Sequence, residues 1–263
     1  MSQSRQWDDL KPRLITGLSL VAFGIAVVSL GGWVFALTAA LISGIMIWEL
    51  TGMTNRDQWL EALALGGLAG LAVILARQIE APTSAVLLLL PAVAGALVLF
   101  QHKAIYAVYA VGIVVASYGL VVFRDTYGVV WLFWLMITVA MTDVAGYFGG
   151  RLIGGAKFWP AISPKKTWAG IVSGWVAAVL VSLVFLAITD AGRDLIWIAA
   201  LLSFSSQMGD IAESAVKRRM GVKDSSQLLP GHGGLFDRFD ALLGAALFML
   251  LTALVVDVPE LRF

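Results

Sequence analysis

The sequence predicts an all-α fold: a polytopic transmembrane helix bundle of about nine spans, built as one integral membrane domain with its N-terminus in the cytoplasm. Three observations predict it, namely the composition, the length of the apolar runs and the placement of Lys and Arg. Of 263 residues, 60% are hydrophobic and 13% charged, with a mean hydropathy of +0.89, whereas soluble domains carry about a quarter charged residues. A helix crossing hydrocarbon needs about 20 mostly apolar residues, because every backbone polar group must be satisfied within the segment.

Apolar runs fall near 14–30, 33–50, 59–76, 83–100, 104–122, 128–148, 168–189, 195–214 and 236–256. The first is followed at once by the second, which argues against a cleaved signal peptide. The sizeable polar stretches are 149–167 and 215–235, and no internal repeat or second domain is evident. Residues 1–127 supply N-terminal helices without legible chemistry, and residues 128–263 carry the helices and loops expected to be catalytic. With the N-terminus inside, 14 of the 18 Lys and Arg fall on the cytoplasmic side, leaving Arg77, Arg124, Arg193 and Arg262 outside. Short cytoplasmic loops retain basic residues, so this split supports both the span count and this orientation, and it places the two long polar stretches in the cytosol.

The chain has no Cys and two His, His102 and His232. Disulfides, thiolate zinc sites and cysteine nucleophiles are excluded, and any metal must be held largely by oxygen. A net charge of +1 argues against nucleic acid as a partner. Neither GxGxxG nor GxxxxGK[ST] occurs, which disfavours a soluble nucleotide-binding fold.

Several carboxylates lie inside the apolar runs. Asp143 falls within the sixth, Asp210 and Glu213 fall at the end of the eighth, and Asp237 and Asp240 open the ninth, three residues apart on one helix face. A central Asp costs roughly 2.5–3.5 kcal/mol even on insertion scales, so such residues face a bundle interior, a partner or a cavity. Asp143, Asp210, Asp237 and Asp240 would all stand near cytoplasmic helix ends, an all-oxygen set suited to Mg2+. The competing reading is that each Asp caps a helix or pairs with Arg151 or Arg238.

Two basic loops flank these acids. Ser163–Gly170 reads SPKKTWAG, with Pro164 breaking the chain before Lys165, Lys166 and Thr167 lead into the seventh span. Lysines at a helix N-terminus make an anion site, although positive-inside anchoring explains the same residues. From Gly209 to Asp240 acids, bases and glycines alternate, with Asp210, Ser214 and Lys217 at helical spacing. Lys217, Arg218, Arg219 and Lys223 would engage lipid and nucleotide phosphates, while Gly231, Gly233 and Gly234 admit close backbone approach. Attraction to anionic headgroups is the alternative for the basic cluster.

These residues resemble the signature of the bacterial phosphatidate cytidylyltransferase (CDP-diglyceride synthetase) family, S-x-x-K-R-x4-K-D-x-S-x2-L-P-x-H-G-G-x-x-D-R-x-D. Ser214, Lys217, Arg218, Lys223, Asp224, Ser226, Leu229, Pro230, His232, Gly233, Gly234, Asp237, Arg238 and Asp240 fill it without a gap. The resemblance extends upstream through Gly209–Ser214, the SPKKTW element and the Asp143 region, covering roughly the C-terminal half. Ala169 stands where the family often has Glu or Gln, so a polar contact from that position is absent here.

The resemblance implies that a phosphatidic acid oxygen attacks the α-phosphorus of CTP, giving CDP-diacylglycerol and pyrophosphate. It implies a homodimer among membrane lipids, a divalent cation such as Mg2+ and a second cation such as K+. Carried over, the metal ligands would be Asp210 and Asp237, with Asp240 and Asp143 contributing. Lys217, Arg218, Lys223, Asp224, His232 and Arg238 would be catalytic, and Ser163, Lys165, Lys166, Thr167, Ser214, Gly233 and Gly234 would bind substrate. The rivals are another CDP-lipid enzyme, whose D-G-x2-A-R motif is absent because no Asp-Gly pair occurs, and a secondary transporter with intramembrane acids.

Overall fold

The computed structural model describes residues 10–79, 83–229, 231 and 233–259. Among them, nine helices coincide with the nine apolar runs: α1 (Leu10–Leu30), α2 (Gly32–Thr54), α3 (Trp59–Ala76), α4 (Thr83–Val98), α5 (Lys103–Tyr127), α6 (Val129–Leu152), α7 (Trp168–Ile188), α8 (Leu195–Arg219) and α9 (Phe236–Thr252). Six of these, α2, α3, α5, α6, α7 and α8, are long and apolar enough to cross a membrane. They mark the chain as a multi-pass membrane protein. The fourth run is a 16-residue helix with Pro91 inside it, and the ninth is a 17-residue helix whose first turn carries Asp237.

Sequential neighbours pack on one another, α2 on α3, α3 on α4, α6 on α7 and α8 on α9, while α5 lies against α2 and α9. Two cores result. One joins α2 through α5 around Ile47, Leu50, Tyr106 and Ile113 and also includes Phe236 from the start of α9. The other fills the space among α6, α7, α8 and α9 around Trp134, Leu135, Leu202 and Ala245. Outward positions such as Leu37, Leu41, Leu180 and Val184 are exposed leucines and valines, the surface that suits lipid rather than water.

Between apolar helices in lipid there is little hydrophobic drive to associate, so close backbone approach at small residues matters. In α2 and α3, a Cβ on Gly44 would meet the Gly66 carbonyl oxygen, and one on Gly66 would meet that of Gly44. In α8 and α9, a Cβ on Gly209 would meet the Asp240 carbonyl oxygen and the Gly244 backbone. This second contact fixes the spacing of the two helices that carry most of the acids.

The mostly helical architecture carries one small hairpin that the sequence reading does not anticipate. Lys157–Trp159 (β1) and Ser163–Thr167 (β2) form a two-stranded antiparallel hairpin, pairing Lys157 with Thr167 and Trp159 with Ser163. Aromatic packing explains it: the Phe158 ring stands edge-on to Trp168 at 4.7 Å, and Trp168 N–H donates to the Ala156 carbonyl at 3.0 Å. Pro164 fits because an edge strand tolerates a missing N–H. Elsewhere, Asn55 and Gln58 lace the α2–α3 turn to the α4–α5 turn, with Gln101 N–H donating to Asn55 Oδ1 (2.8 Å) and Phe100 N–H to Gln58 Oε1 (3.0 Å).

Gly209→Val should therefore lower the thermal unfolding midpoint in detergent, by the equivalent of about 1–3 kcal/mol for an overpacked contact. Gly67→Ala, on a helix position where an added Cβ meets nothing within 4 Å, should leave that midpoint unchanged or raise it. Equal midpoints for the two variants would show that the α8–α9 spacing is not set at Gly209.

Candidate active site

The C-terminal ends of α2, α6 and α8 and the N-terminal ends of α7 and α9 meet at one end of the bundle. Side-chain contacts establish this. Lys166 in β2 reaches the Gln207 carbonyl of α8 at 3.3 Å, and Arg56 Nη2, just past α2, donates to the Met220 carbonyl at 3.2 Å. The first long polar stretch thus lies against α8, and the second against the turn that follows α2. Gln207, buried within α8, donates to the Ile171 carbonyl at 3.2 Å and accepts from Trp175 Nε1 at 3.1 Å, holding α7 against α8.

Within this end, Asp210, Glu213 and Asp240 converge, each offering a carboxylate oxygen within 4.8 Å of the others. Asp210 and Glu213 share one face of α8, and α9 delivers Asp240 across the Gly209–Gly244 contact. Asp143, exposed on α6, interacts electrostatically with Asp210 and Lys166. Asp210 Oδ2 is paired with Lys166 Nζ at 2.5 Å, and Ser214 Oγ lies 3.4 Å from Asp210 Oδ1.

Lys217 sits between two acids, 2.5 Å from Glu213 Oε2 and 2.6 Å from Asp237 Oδ1. Lys217, expected among the catalytic and phosphate-binding residues, has its ammonium shared by two buried carboxylates, whose side chains are 1% and 5% exposed. Apart from the Lys217 contact at Oε2, the Glu213 oxygens have no hydrogen-bond partner among the described residues. A nearly fully buried carboxylate with unfilled acceptor positions, grouped with two more, is the donor set that a hard divalent cation takes. By this test Asp210, Glu213 and Asp240 fit Mg2+. Among the described residues one such group is found, so the second cation gains no separate acidic site.

Asp237, expected as a metal ligand, is held by donors of the loop before α9 and by Lys217. Its Oδ2 accepts from Gly234 N–H (2.7 Å), Ser225 N–H (2.8 Å) and Ser225 Oγ (2.8 Å), while Oδ1 takes Lys217. A carboxylate offers about four acceptor positions, and three donors saturate that oxygen. Asp237 organises the loop between α8 and α9 and stands outside the converging trio. Gly233 joins the same loop, with φ 81° and its carbonyl accepting from Leu229 N–H at 2.8 Å.

Thr167 is buried, and its hydroxyl accepts from Gly170 N–H at 3.2 Å, capping α7. That helix N-terminus is thus partly satisfied from within, which reduces its availability to an external anion. Ser163 is half-buried in the hairpin, and Lys165, Arg218, Lys223, Asp224 and Arg238 are exposed around the acids' end. His232 lies outside the described residues.

Two residues escape the sequence-based expectation. Glu213 was visible as an acid three residues after Asp210 on the same helix face, but only the fold reveals its convergence with Asp240. Glu49 is a lone carboxylate within the second apolar run, and a charge at that depth was itself the signal. It is 2% exposed and reaches the α8–α9 loop.

Comparison with known proteins finds similarity over nearly the whole chain. Residues 11–256 match the model of the cytidylyltransferase family. A phosphatidate cytidylyltransferase of Brucella suis is 35% identical over 96% of this chain and 96% of its own length. One from Staphylococcus aureus is 29% identical over 89% of this chain and 95% of its own.

Replacing Lys217 by Met strands the Glu213 and Asp237 carboxylates, and removing one partner of a buried pair costs about 3–5 kcal/mol. The unfolding midpoint of Lys217→Met should fall accordingly, and Glu213→Gln in the same chain should recover a substantial part of the loss. An equal loss in the single and double variants would show that Lys217 does not neutralise Glu213.

Proposed function

The chain belongs to the cytidylyltransferase family, a family of nucleotidyltransferases, and from that premise we propose that it joins CTP to phosphatidic acid, forming CDP-diacylglycerol and pyrophosphate. The observation that carries this reading is the meeting of Asp210, Glu213 and Asp240 beside Lys166 and Lys217, at the end of the bundle where the basic loops lie. Full-length likeness to relatives bearing the name phosphatidate cytidylyltransferase supports it.

In the proposed reaction a phosphate oxygen of phosphatidate attacks the α-phosphorus of CTP. The new P–O bond forms as the bond from the α-phosphorus to the bridging oxygen breaks, and that electron pair leaves with pyrophosphate. Phosphoryl chemistry of this kind needs positioning and neutralised oxygen charge more than a protein nucleophile. No covalent enzyme intermediate is expected. A divalent cation held by Asp210, Glu213 and Asp240, with Asp143 bordering it, would supply charge neutralisation at the phosphate oxygens.

The remaining work falls to the chain. Lys165, Arg218, Lys223 and Arg238, exposed around the acids, bind substrate phosphates, and Lys166 joins them from its seat on Asp210. Asp237 keeps Lys217 beside Glu213 and holds the loop bearing Gly233, Gly234 and Asp224; Thr167 and Ser163 hold the hairpin that presents the two lysines. The same proposal includes nine membrane crossings with the N-terminus and the site facing the cytoplasm, as the Lys and Arg distribution favours, and the homodimer implied by the family resemblance.

Purified protein given labelled CTP, phosphatidic acid and Mg2+ should transfer cytidine label into the lipid extract. Asp240→Asn should reduce that transfer by about 100-fold or more, as expected when charge stabilisation is lost at the transferring group, with the protein still folded. Joint replacement of Lys165 and Lys166 by Gln should lower kcat/KM. Absence of lipid-soluble label from the native protein, or a label trapped on the protein without lipid, would refute the reading.

A further inference from the structure

Helix α9 begins without a side-chain cap of its own, although the first N–H groups of any helix lack intrahelical partners. The missing acceptor comes from a distant part of the chain. Glu49, near the C-terminal end of α2, accepts from Leu235 N–H through Oε1 (2.9 Å) and from Phe236 N–H through Oε2 (2.6 Å). The same carboxylate takes Ser226 Oγ at 2.6 Å and lies 3.1 Å from Ser225 Oγ. A carboxylate at a helix N-terminus is favoured by the helix dipole as well as by these bonds.

The contact is closely fitted. A Cβ on Gly234 would collide with both Ser225 Oγ and Glu49 Oε1, so only glycine lets the loop pass. Phe236, fully buried, enters the core of the N-terminal helices and stacks edge-on against Tyr109 of α5 at 5.7 Å. The Ser225 hydroxyl has a single proton yet stands between Glu49 and Asp237, 3.1 and 2.8 Å away. One hydroxyl thus links the carboxylate from the N-terminal half to the one that holds Lys217.

We propose that Glu49 is a positioning residue for the reaction: from the N-terminal half it fixes Ser225, Ser226, Gly234 and the first turn of α9, and through them the placement of Asp237 and Asp240. The N-terminal helices thereby gain a role in the chemistry that their apolar sequence does not announce. Glu49 touches none of the reacting atoms. Its effect on turnover presupposes the proposed cytidylyl transfer, whereas its effect on the order of the loop does not.

Glu49→Gln keeps the shape but turns an amide NH2 toward donors, while Glu49→Asp keeps the charge on a shorter stem. Two readouts separate the cases: trypsin cleavage after Lys223, followed by mass spectrometry relative to cleavage after Lys157, and steady-state turnover of CTP with phosphatidic acid. Glu49→Gln should speed cleavage after Lys223 several-fold and lower kcat by about 100-fold, the scale of a misplacement of about 1 Å, with a smaller change in the KM for CTP. Glu49→Asp should retain more activity than Glu49→Gln, an order that space filling alone would reverse. Native rates of cleavage and turnover in Glu49→Gln, or the reverse order of the two variants, would overturn the proposal. Should Glu49→Gln fail to assemble, Ser226→Ala removes a single donor and should shift both readouts in the same direction; native values there would also overturn it. If the native protein shows no cytidylyl transfer, the cleavage arm still decides whether Glu49 orders the loop.

Discussion

A cluster of carboxylates at one end of an apolar helix bundle is tolerable only if positive charge meets it, and the arrangement around Glu213 follows from that constraint. Burial disfavours an isolated carboxylate strongly. Lys217 is therefore drawn between Glu213 and Asp237, and Lys166 onto Asp210. These lysines leave the trio of Asp210, Glu213 and Asp240 short of positive charge. In a nucleotidyltransferase that deficit is useful, because a divalent cation and the phosphates it accompanies can complete the balance.

The scaffold serves that electrostatic arrangement. Glycines at 209 and 244 bring α8 and α9 close enough for Asp240 to face Asp210 and Glu213, and the hairpin of β1 and β2 carries Lys166 over the end of α8. Gln207 ties α7 to the same helix. From the other half of the chain, Glu49 and the Phe236 pocket fasten the beginning of α9. The acids are thus held by backbone-level contacts rather than by their own pairing alone.

Much of this was legible in the sequence, because hydrophobic run length and helix length obey the same physical requirement. The run near 33–50 became Gly32–Thr54 and the run near 195–214 became Leu195–Arg219. In α8 the structured turn continues past the apolar stretch, since helical spacing carries Asp210, Glu213 and Lys217 along one face. The hairpin was not legible: Ser-Pro-Lys-Lys-Thr has no alternation of apolar and polar residues, and its pairing depends on Phe158 packing against Trp168. The sequence reading places Asp237 among the metal ligands and leaves Glu213 out of them. Only the tertiary contact shows that loop donors and Lys217 occupy Asp237. Glu49 lies 186 residues before Leu235, a separation across which no local pattern can signal a partner.

The most direct test of the central claim is a Mn2+ titration of the metal-stripped, purified protein, read by electron paramagnetic resonance without substrates. The native protein should bind Mn2+ at a site that Mg2+ competes for, and Glu213→Gln combined with Asp240→Asn should weaken that binding by at least about tenfold, or about 1.4 kcal/mol. Undiminished binding in the doubly substituted protein would contradict the assignment of the cation to this group of carboxylates.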